Sequence, residues 1–215
     1  GASERNISAV INERDVKKAL NTLHETFFEE NTKQLNLFVM GVGNVGEKFI
    51  EQIHQQKKYL KENLKINLRV IALSNSRKMH FDEEGISLKD WQSLVENGEA
   101  ASKEGFISKV AALNLRNSIF VDITANEEVS KTYEQYLKQN VAVVTCNKIA
   151  CSSAYANYKN LKNLSRQFKA PFLFETNVGA GLPIIDTVKN LIASGDKVNK
   201  IQAVLSGSLN FIFNN

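Results

Sequence analysis

Gly41, Gly43 and Gly46 are spaced as G-x-G-x-x-G. They follow the apolar run Leu37–Met40 and precede a helical pattern carrying Phe49, Ile50 and Ile53. Strand, glycine-rich turn and helix start, in that order, form the arrangement that holds a dinucleotide pyrophosphate. Gly41 allows a tight turn that a Cβ would obstruct. Gly43 lets the backbone approach a phosphate, and Gly46 lets the helix pack against the strand. The intervening Val42, Asn44 and Val45 lie at the helix N-terminus, where unpaired N–H groups and the positive end of the helix dipole face an anion. The alternative is a glycine-rich turn in some other α/β protein.

The next apolar run, Leu68–Leu73, ends in Ser74-Asn75-Ser76-Arg77. An NAD enzyme usually carries an Asp or Glu there for the ribose 2′-hydroxyl, and none occurs before Asp82. Ser74 and Arg77, with Lys78, suit a 2′-phosphate instead, which favours NADP over NAD. A solvated loop charge is the competing account of Arg77.

Two more constellations carry chemistry. Val141–Thr145 is a near-continuous apolar run that ends in Cys146-Asn147-Lys148. The carboxyl end of a strand is where an open α/β sheet presents catalytic groups, so Lys148 is a candidate catalytic residue; a plain surface lysine is the alternative. Glu175-Thr-Asn-Val-Gly-Ala-Gly-Leu-Pro183 joins a strand to a helix. Its glycines permit carbonyls to converge and Glu175 adds a hard carboxylate, a donor set suited to a group 1 or group 2 cation. A simple strand-to-helix loop would use the same residues.

These positions need a scaffold. The pattern predicts a strand over Ile7–Ile11, a helix N-cap at Asp15, a helix with Val16, Ala19, Leu20, Leu23 and Phe27 on one face, and a linker over Glu29–Gln34. Helices are predicted from about Val45 to Leu60, around Trp91 and Leu94, and over Phe106–Leu113, Glu127–Gln139, Ala154–Phe168 and Ile184–Ala193. Strands are predicted over Leu68–Leu73, Ser118–Thr124, Val141–Thr145, Pro171–Glu175 and Lys200–Leu205. Strand–helix alternation implies an α/β fold with a Rossmann-type doubly wound parallel sheet.

Composition narrows the function classes. The 215 residues are 43% hydrophobic and 23% charged, as in an ordinary globular chain. The net charge of +4 comes from scattered basic residues, which reads as solvated faces and excludes nucleic acid as the expected partner. Cys146 and Cys151 lack CxxC spacing, which argues against a zinc site or disulfide framework and fits a cytoplasmic setting. No run approaches the roughly 18 apolar residues of a membrane span.

The four motifs together resemble homoserine dehydrogenase. They are Gly41-Val-Gly-Asn-Val-Gly46, Val143-Val-Thr-Cys-Asn-Lys148, Asn177-Val-Gly-Ala-Gly-Leu-Pro183 and Ser206-Gly-Ser-Leu-Asn-Phe-Ile212. The segment from Ser3 to Ser8 and the helix after it look like the tail of the ACT regulatory region in bifunctional aspartokinase–homoserine dehydrogenases. The resemblance divides the chain into residues 1–34 (regulatory tail and linker), 35–182 (NAD(P)-binding Rossmann domain) and 183–215 (start of an α+β substrate and dimerisation domain). It implies reduction of L-aspartate 4-semialdehyde to L-homoserine by hydride transfer, on the route to threonine and methionine. It places Val42, Gly43, Asn44 and Val45 at the cofactor phosphates and Thr124 beside the cofactor. Lys148 would lie between nicotinamide and substrate. Glu175 and the carbonyls of Val178, Ala180 and Leu182 would hold a monovalent cation such as sodium. The family's substrate-binding acids and proton-donating lysine lie downstream of the last motif, so the parent is expected to be an active homo-oligomer and this chain to turn over little. Apolar surface left uncovered in 183–215 would favour self-association. The competing expectations are a nucleotide-binding regulatory module, another NAD(P)-dependent oxidoreductase of an amino-acid semialdehyde, and a purely oligomerising role for residues 1–34.

Overall fold

The computed structural model describes residues 2–3, 6–28, 32–204 and 206–214. They group into two compact units, Gly1–Ile119 and Phe120–Asn215.

In the first unit, β1 (Ala2–Ser3) pairs antiparallel with β2 (Asn6–Ile7). The strand expected over Ile7–Ile11 is therefore wrong beyond Ile7. Val10 is fully exposed, and β-rich residues without a pairing partner do not make a strand. The N-cap expected at Asp15 is also corrected. Asn12 caps a 3₁₀ turn over Glu13–Asp15, accepting from the Arg14 N–H at 3.2 Å, and α1 (Val16–Phe28) continues from it. Asp15 accepts instead from Asn114 Nδ2 at 2.9 Å.

Of the expected linker, residues 29–31 lie outside the described residues, and Lys33 and Gln34 already belong to β3 (Lys33–Met40). Pairing decides this boundary. Lys33 and Gln34 run in parallel register with Ile66 and Asn67 of β4 (Ile66–Ser74), although only the later part of β3 is buried. Between these strands runs α2 (Asn44–Asn63), which buries Gly46, Ile50 and Ile53 at helical spacing. Two strands escaped the sequence pattern, β5 (Lys78–Phe81), antiparallel to β4, and β6 (Glu99–Ala100), antiparallel to β5. Both are short and polar enough to give no alternating signal. Between them lies α3 (Trp91–Glu96), which buries Trp91 and Val95. Ser102 caps α4 (Lys103–Leu113) through the Gly105 N–H, and Asn114 ends it in the left-handed conformation with φ of 41°. β7 (Ser118–Asp122) follows.

In the second unit the single helix expected over Glu127–Gln139 is two, α5 (Glu127–Ser130) and α6 (Tyr133–Lys138). Ser130 Oγ donates to Glu127 O and Thr132 Oγ1 to Val129 O, both at 2.7 Å. Hydroxyls that bond back to nearby carbonyls compete with the helical ladder, which breaks between them. Next come β8 (Ala142–Thr145), a short α7 (Ile149–Ser152) that the sequence pattern did not suggest, and α8 (Tyr155–Gln167). The expected strand Pro171–Glu175 contracts to β9 (Phe172–Leu173), parallel to β8, because Glu175–Asn177 coil into a 3₁₀ turn. Helix α9 (Ile184–Ala193) has the expected bounds and is closed by Gly195, at φ of 95°. No strand forms over residues 200–204, and Leu205 lies outside the described residues. Ile201 and Val204 are exposed and unpaired with any strand, and α10 (Gly207–Asn214) takes up the last motif as a helix.

The strands of the main sheet are ordered β6-β5-β4-β3-β7-β8-β9. The α/β reading of a doubly wound, mostly parallel sheet therefore holds, with the antiparallel β5 and β6 added at one edge.

Aromatic packing fills the core of the second unit. Phe120 stacks on Tyr136, with ring centroids 4.0 Å apart, and Tyr133 meets Phe172 at 5.9 Å. The Tyr136 hydroxyl is buried with no hydrogen-bond partner among the described residues. Burial first, and the Asp122 charge second, push its ionisation far up, so it stays neutral. An unpaired buried hydroxyl costs about 1 kcal/mol or more. Tyr136→Phe is accordingly expected to raise stability by about 1 kcal/mol in urea unfolding. Lower stability would show that the hydroxyl has a partner in solution.

Candidate functional site

In the first unit the glycine-rich turn has the geometry that its spacing requires. Gly41 sits at φ of 106°, a region closed to most side chains, and its N–H donates to Ser74 O at 2.8 Å. Gly43 is the N-cap residue of α2 and supplies no side-chain cap, so the N–H groups of Asn44, Val45 and Gly46 lack helical partners. A Cβ built on Gly43 would meet nothing within 4 Å, which leaves open space beside the turn at that residue. A Cβ on Gly46 would lie 2.1 Å from Gly41 O. The third glycine thus lets the first turn of α2 lie directly against the backbone that follows β3. Asn44 and Val45 are exposed and Val42 is half-buried.

At the end of β4, Asn75 Oδ1 accepts from the N–H groups of Arg77 and Lys78 at 2.8 and 2.7 Å, forming the β4–β5 turn. Arg77 stands exposed on it. Ser74 is buried and its hydroxyl is turned inward, to Asn75 O at 3.0 Å and Lys78 O at 3.4 Å. Lys78 Nζ donates to Gly98 O at 3.0 Å, which commits that ammonium to the fold.

The second unit holds a buried polar network that spacing alone did not disclose. Asp122 closes β7 and is 0% exposed. Its Oδ1 accepts from the Thr124 N–H at 2.7 Å; its Oδ2 accepts from Tyr133 Oη at 2.6 Å and Asn147 Nδ2 at 3.0 Å. Tyr133 Oη also meets Thr145 Oγ1 at 2.8 Å, and Thr145 Oγ1 accepts from the Asn147 N–H at 2.9 Å. Burial, then the Asp122 charge, drive the Tyr133 ionisation far up, so the phenol remains a donor. Asn147 Nδ2 reaches Asn126 O at 3.0 Å, which ties the loop after β7 to the loop after β8. One carboxylate thus organises the loops that carry Thr124 and Lys148. The sequence signal for it was a single charge ending an otherwise apolar strand.

Lys148 follows Asn147 directly and is exposed; among the described residues it makes no ion pair. Burial pushes both the Cys146 and Cys151 thiols up, so neither is an activated nucleophile. Asn177 Nδ2 donates to Asn147 O at 3.3 Å, while its buried Oδ1 has no partner among the described residues.

The Glu175 loop serves α9. Glu175 Oε1 and Oε2 accept from the N–H groups of Ile185 and Asp186 at 2.8 and 2.9 Å, placing a carboxylate at the positive end of that helix. Gly179 and Ala180 take consecutive left-handed conformations, at φ of 70° and 52°. For alanine that costs roughly 1–2 kcal/mol. Leu182 O accepts from the Ile184 N–H at 2.9 Å. Among the described residues no group of three or more His, Cys, Asp or Glu is placed to hold a metal ion.

Residues 41–175 match the family described as the NAD-binding domain of homoserine dehydrogenase, and residues 183–215 match homoserine dehydrogenase. The chain belongs to the homoserine dehydrogenase family. It is 41% identical to the bifunctional aspartokinase/homoserine dehydrogenase of Haemophilus influenzae, over 99% of this chain and 26% of that protein. It is 33% identical to the homoserine dehydrogenase of Schizosaccharomyces pombe, over 84% of this chain and 48% of that one. The chain thus spans about a quarter of the bifunctional relatives it matches and about half of the shorter one. A hyperthermophilic archaeal homoserine dehydrogenase solved in complex with NADPH superposes with a TM-score of 0.60 at 26% identity, over 74% of this chain and 50% of that one. A Candida auris protein of unknown function gives 0.74 at 30% identity, over 85% of this chain and 50% of that one. A nicotinamide dinucleotide is the ligand class of the domain that residues 41–175 match.

Proposed function

We propose that the protein of which this chain is part is an NADP-preferring homoserine dehydrogenase, reducing L-aspartate 4-semialdehyde to L-homoserine. Because the chain aligns end to end with bifunctional relatives, the proposal includes an aspartate kinase elsewhere in that protein. The observation that carries it is the Gly41–Gly46 turn, with bare N–H groups and open space above Gly43, inside a segment matched to this family.

When bound, the reduced nicotinamide supplies a hydride. The chain's own residues do the rest. The N–H groups of Asn44, Val45 and Gly46 receive the pyrophosphate, and the exposed Arg77 guanidinium receives a 2′-phosphate. Thr124 lines the cofactor. Lys148 orients the aldehyde, and its ammonium offsets the negative charge that grows on the carbonyl oxygen. Asp122 acts through Thr124 and Asn147 by holding both loops. A sodium ion at Glu175 and the carbonyls of Val178, Ala180 and Leu182 would relieve the convergence of acceptors in that loop. The strained Ala180 supports this reading, and each Glu175 oxygen keeps a lone pair free of its helix N–H.

Fluorescence titration of this chain should give saturable NADPH binding, tighter than NADH, with the preference reduced about tenfold in Arg77→Ala. In the full-length protein, Lys148→Ala should lower kcat for homoserine oxidation by at least about a hundredfold, and Glu175→Gln should weaken the response to sodium. Absence of nucleotide binding together with absence of homoserine oxidation would overturn the assignment.

A further inference from the structure

The first unit has a second concave feature, at the amino end of β3. A cavity of about 120 Å³ lies among α1, the first residues of β3 and β4, and the end of α4. Gln34 lines it, and the eight residues from Gln34 to Gly41 span roughly 20 Å of extended chain, so it is separate from the glycine-rich turn. Five cationic side chains line it, Arg14, Lys17, Lys18, Arg69 and Arg116, and among the described residues no carboxylate does.

Two of these cations are held by neutral amides. Arg69 Nε and Nη2 donate to Asn36 Oδ1 at 3.0 and 2.9 Å. Asn36 is 1% exposed and is itself fixed, with Nδ2 donating to Arg116 O at 2.6 Å. With the Gln34 amide oriented oxygen-inward, that oxygen also accepts from Arg69 Nη2 at 2.8 Å. Lys18 Nζ donates to Asn114 Oδ1 at 3.3 Å. Arg69 and Lys18 make no ion pair among the described residues, whereas Lys17 pairs with Glu83 and Arg14 approaches Asp15 at 3.6 Å. An arginine oriented by buried amides keeps its full charge and spare N–H donors in a fixed fork. Gathering like charges in one cavity is repulsive, and an anion placed among them reverses the sign of that interaction.

We propose that this cavity binds a small multivalent oxyanion, phosphoryl or polycarboxylate. Arg69 is its fixed fork, and Arg14 and Lys18 close on it from the opposite wall. Such a ligand would fasten the start of α1 to the amino ends of β3 and β4, beside the polar contacts by which Asn114, at the end of α4, already holds Arg14, Asp15 and Lys18.

The test is calorimetric titration of the whole chain with sodium phosphate, and separately with sodium citrate, at fixed ionic strength. At least one should bind saturably. Binding should weaken about tenfold in an Arg14→Gln/Lys18→Gln double variant, persist in a charge-retaining Arg14→Lys/Lys18→Arg variant, and persist in Gly43→Asp, which blocks anions at the α2 turn. Phosphate alone would assign a phosphoryl ligand, and citrate alone a polycarboxylate; both support the site. No saturable binding overturns the proposal. So does binding that survives the Gln double variant, or that is lost in Gly43→Asp alone.

Discussion

Gly46→Ala is expected to abolish NADPH binding and to lower the stability of the first unit by about 3 kcal/mol, among the largest effects of adding one methyl group. The added Cβ would lie 2.1 Å from Gly41 O and 3.0 Å from its carbonyl carbon, both backbone atoms that no rotamer change can move. Gly41 cannot yield, because its N–H is bonded to Ser74 O and its φ of 106° already lies where only glycine is comfortable. Relief must come from opening the turn, which disperses the N–H groups meant for phosphate. Gly43→Ala is the control. Its φ of −81° is ordinary and nothing lies within 4 Å of its Cβ, so it should cost about 1 kcal/mol as a poorer N-cap. Urea unfolding and NADPH fluorescence of the two variants together would separate loss of fold from loss of ligand space. Wild-type stability in Gly46→Ala would refute the closed-turn geometry.

Asp122→Asn should be nearly as damaging, at about 2–3 kcal/mol, although it conserves volume. The carboxylate accepts on both oxygens, from Thr124 N–H on Oδ1 and from Tyr133 Oη and Asn147 Nδ2 on Oδ2. An amide offers one acceptor and turns an NH₂ toward a donor on the other side. With 0% exposure at this position, water cannot repair the mismatch. The loops carrying Thr124 and Lys148 should loosen together, so amide exchange should accelerate over residues 122–126 and 145–149. A loss below about 0.5 kcal/mol with unchanged exchange would show that the carboxylate does not organise these loops.

Elements written in a local apolar pattern, periodic or continuous, were legible from the sequence. Residues Ile50 and Ile53 of α2, the apolar runs of β3, β4 and β8, and the whole of α9 follow from local pattern. Elements that exist only through pairing were not. β5 is a strand because β4 offers it hydrogen bonds, and β6 because β5 does, while residues 200–204 are strand-like in type, have no strand partner among the described residues, and form no strand. The break between α5 and α6 came from two hydroxyls that fold back on carbonyls, an outcome that helical periodicity does not report.

For the site, the sequence by itself determined the glycine turn, because the constraint on Gly41 and Gly46 is steric and acts within six residues. It also determined the family, through motifs that keep their order and spacing along the chain. Tertiary structure alone decided what the polar residues do. It turned the Ser74 hydroxyl inward and committed Glu175 to the start of α9. It gathered Asp122, Tyr133, Thr145 and Asn147 into one buried network, and set Arg69 beside residues from α1 and α4. A hydrogen bond depends on which groups arrive at 3 Å from distant parts of the chain, and no local pattern of residue types carries that information.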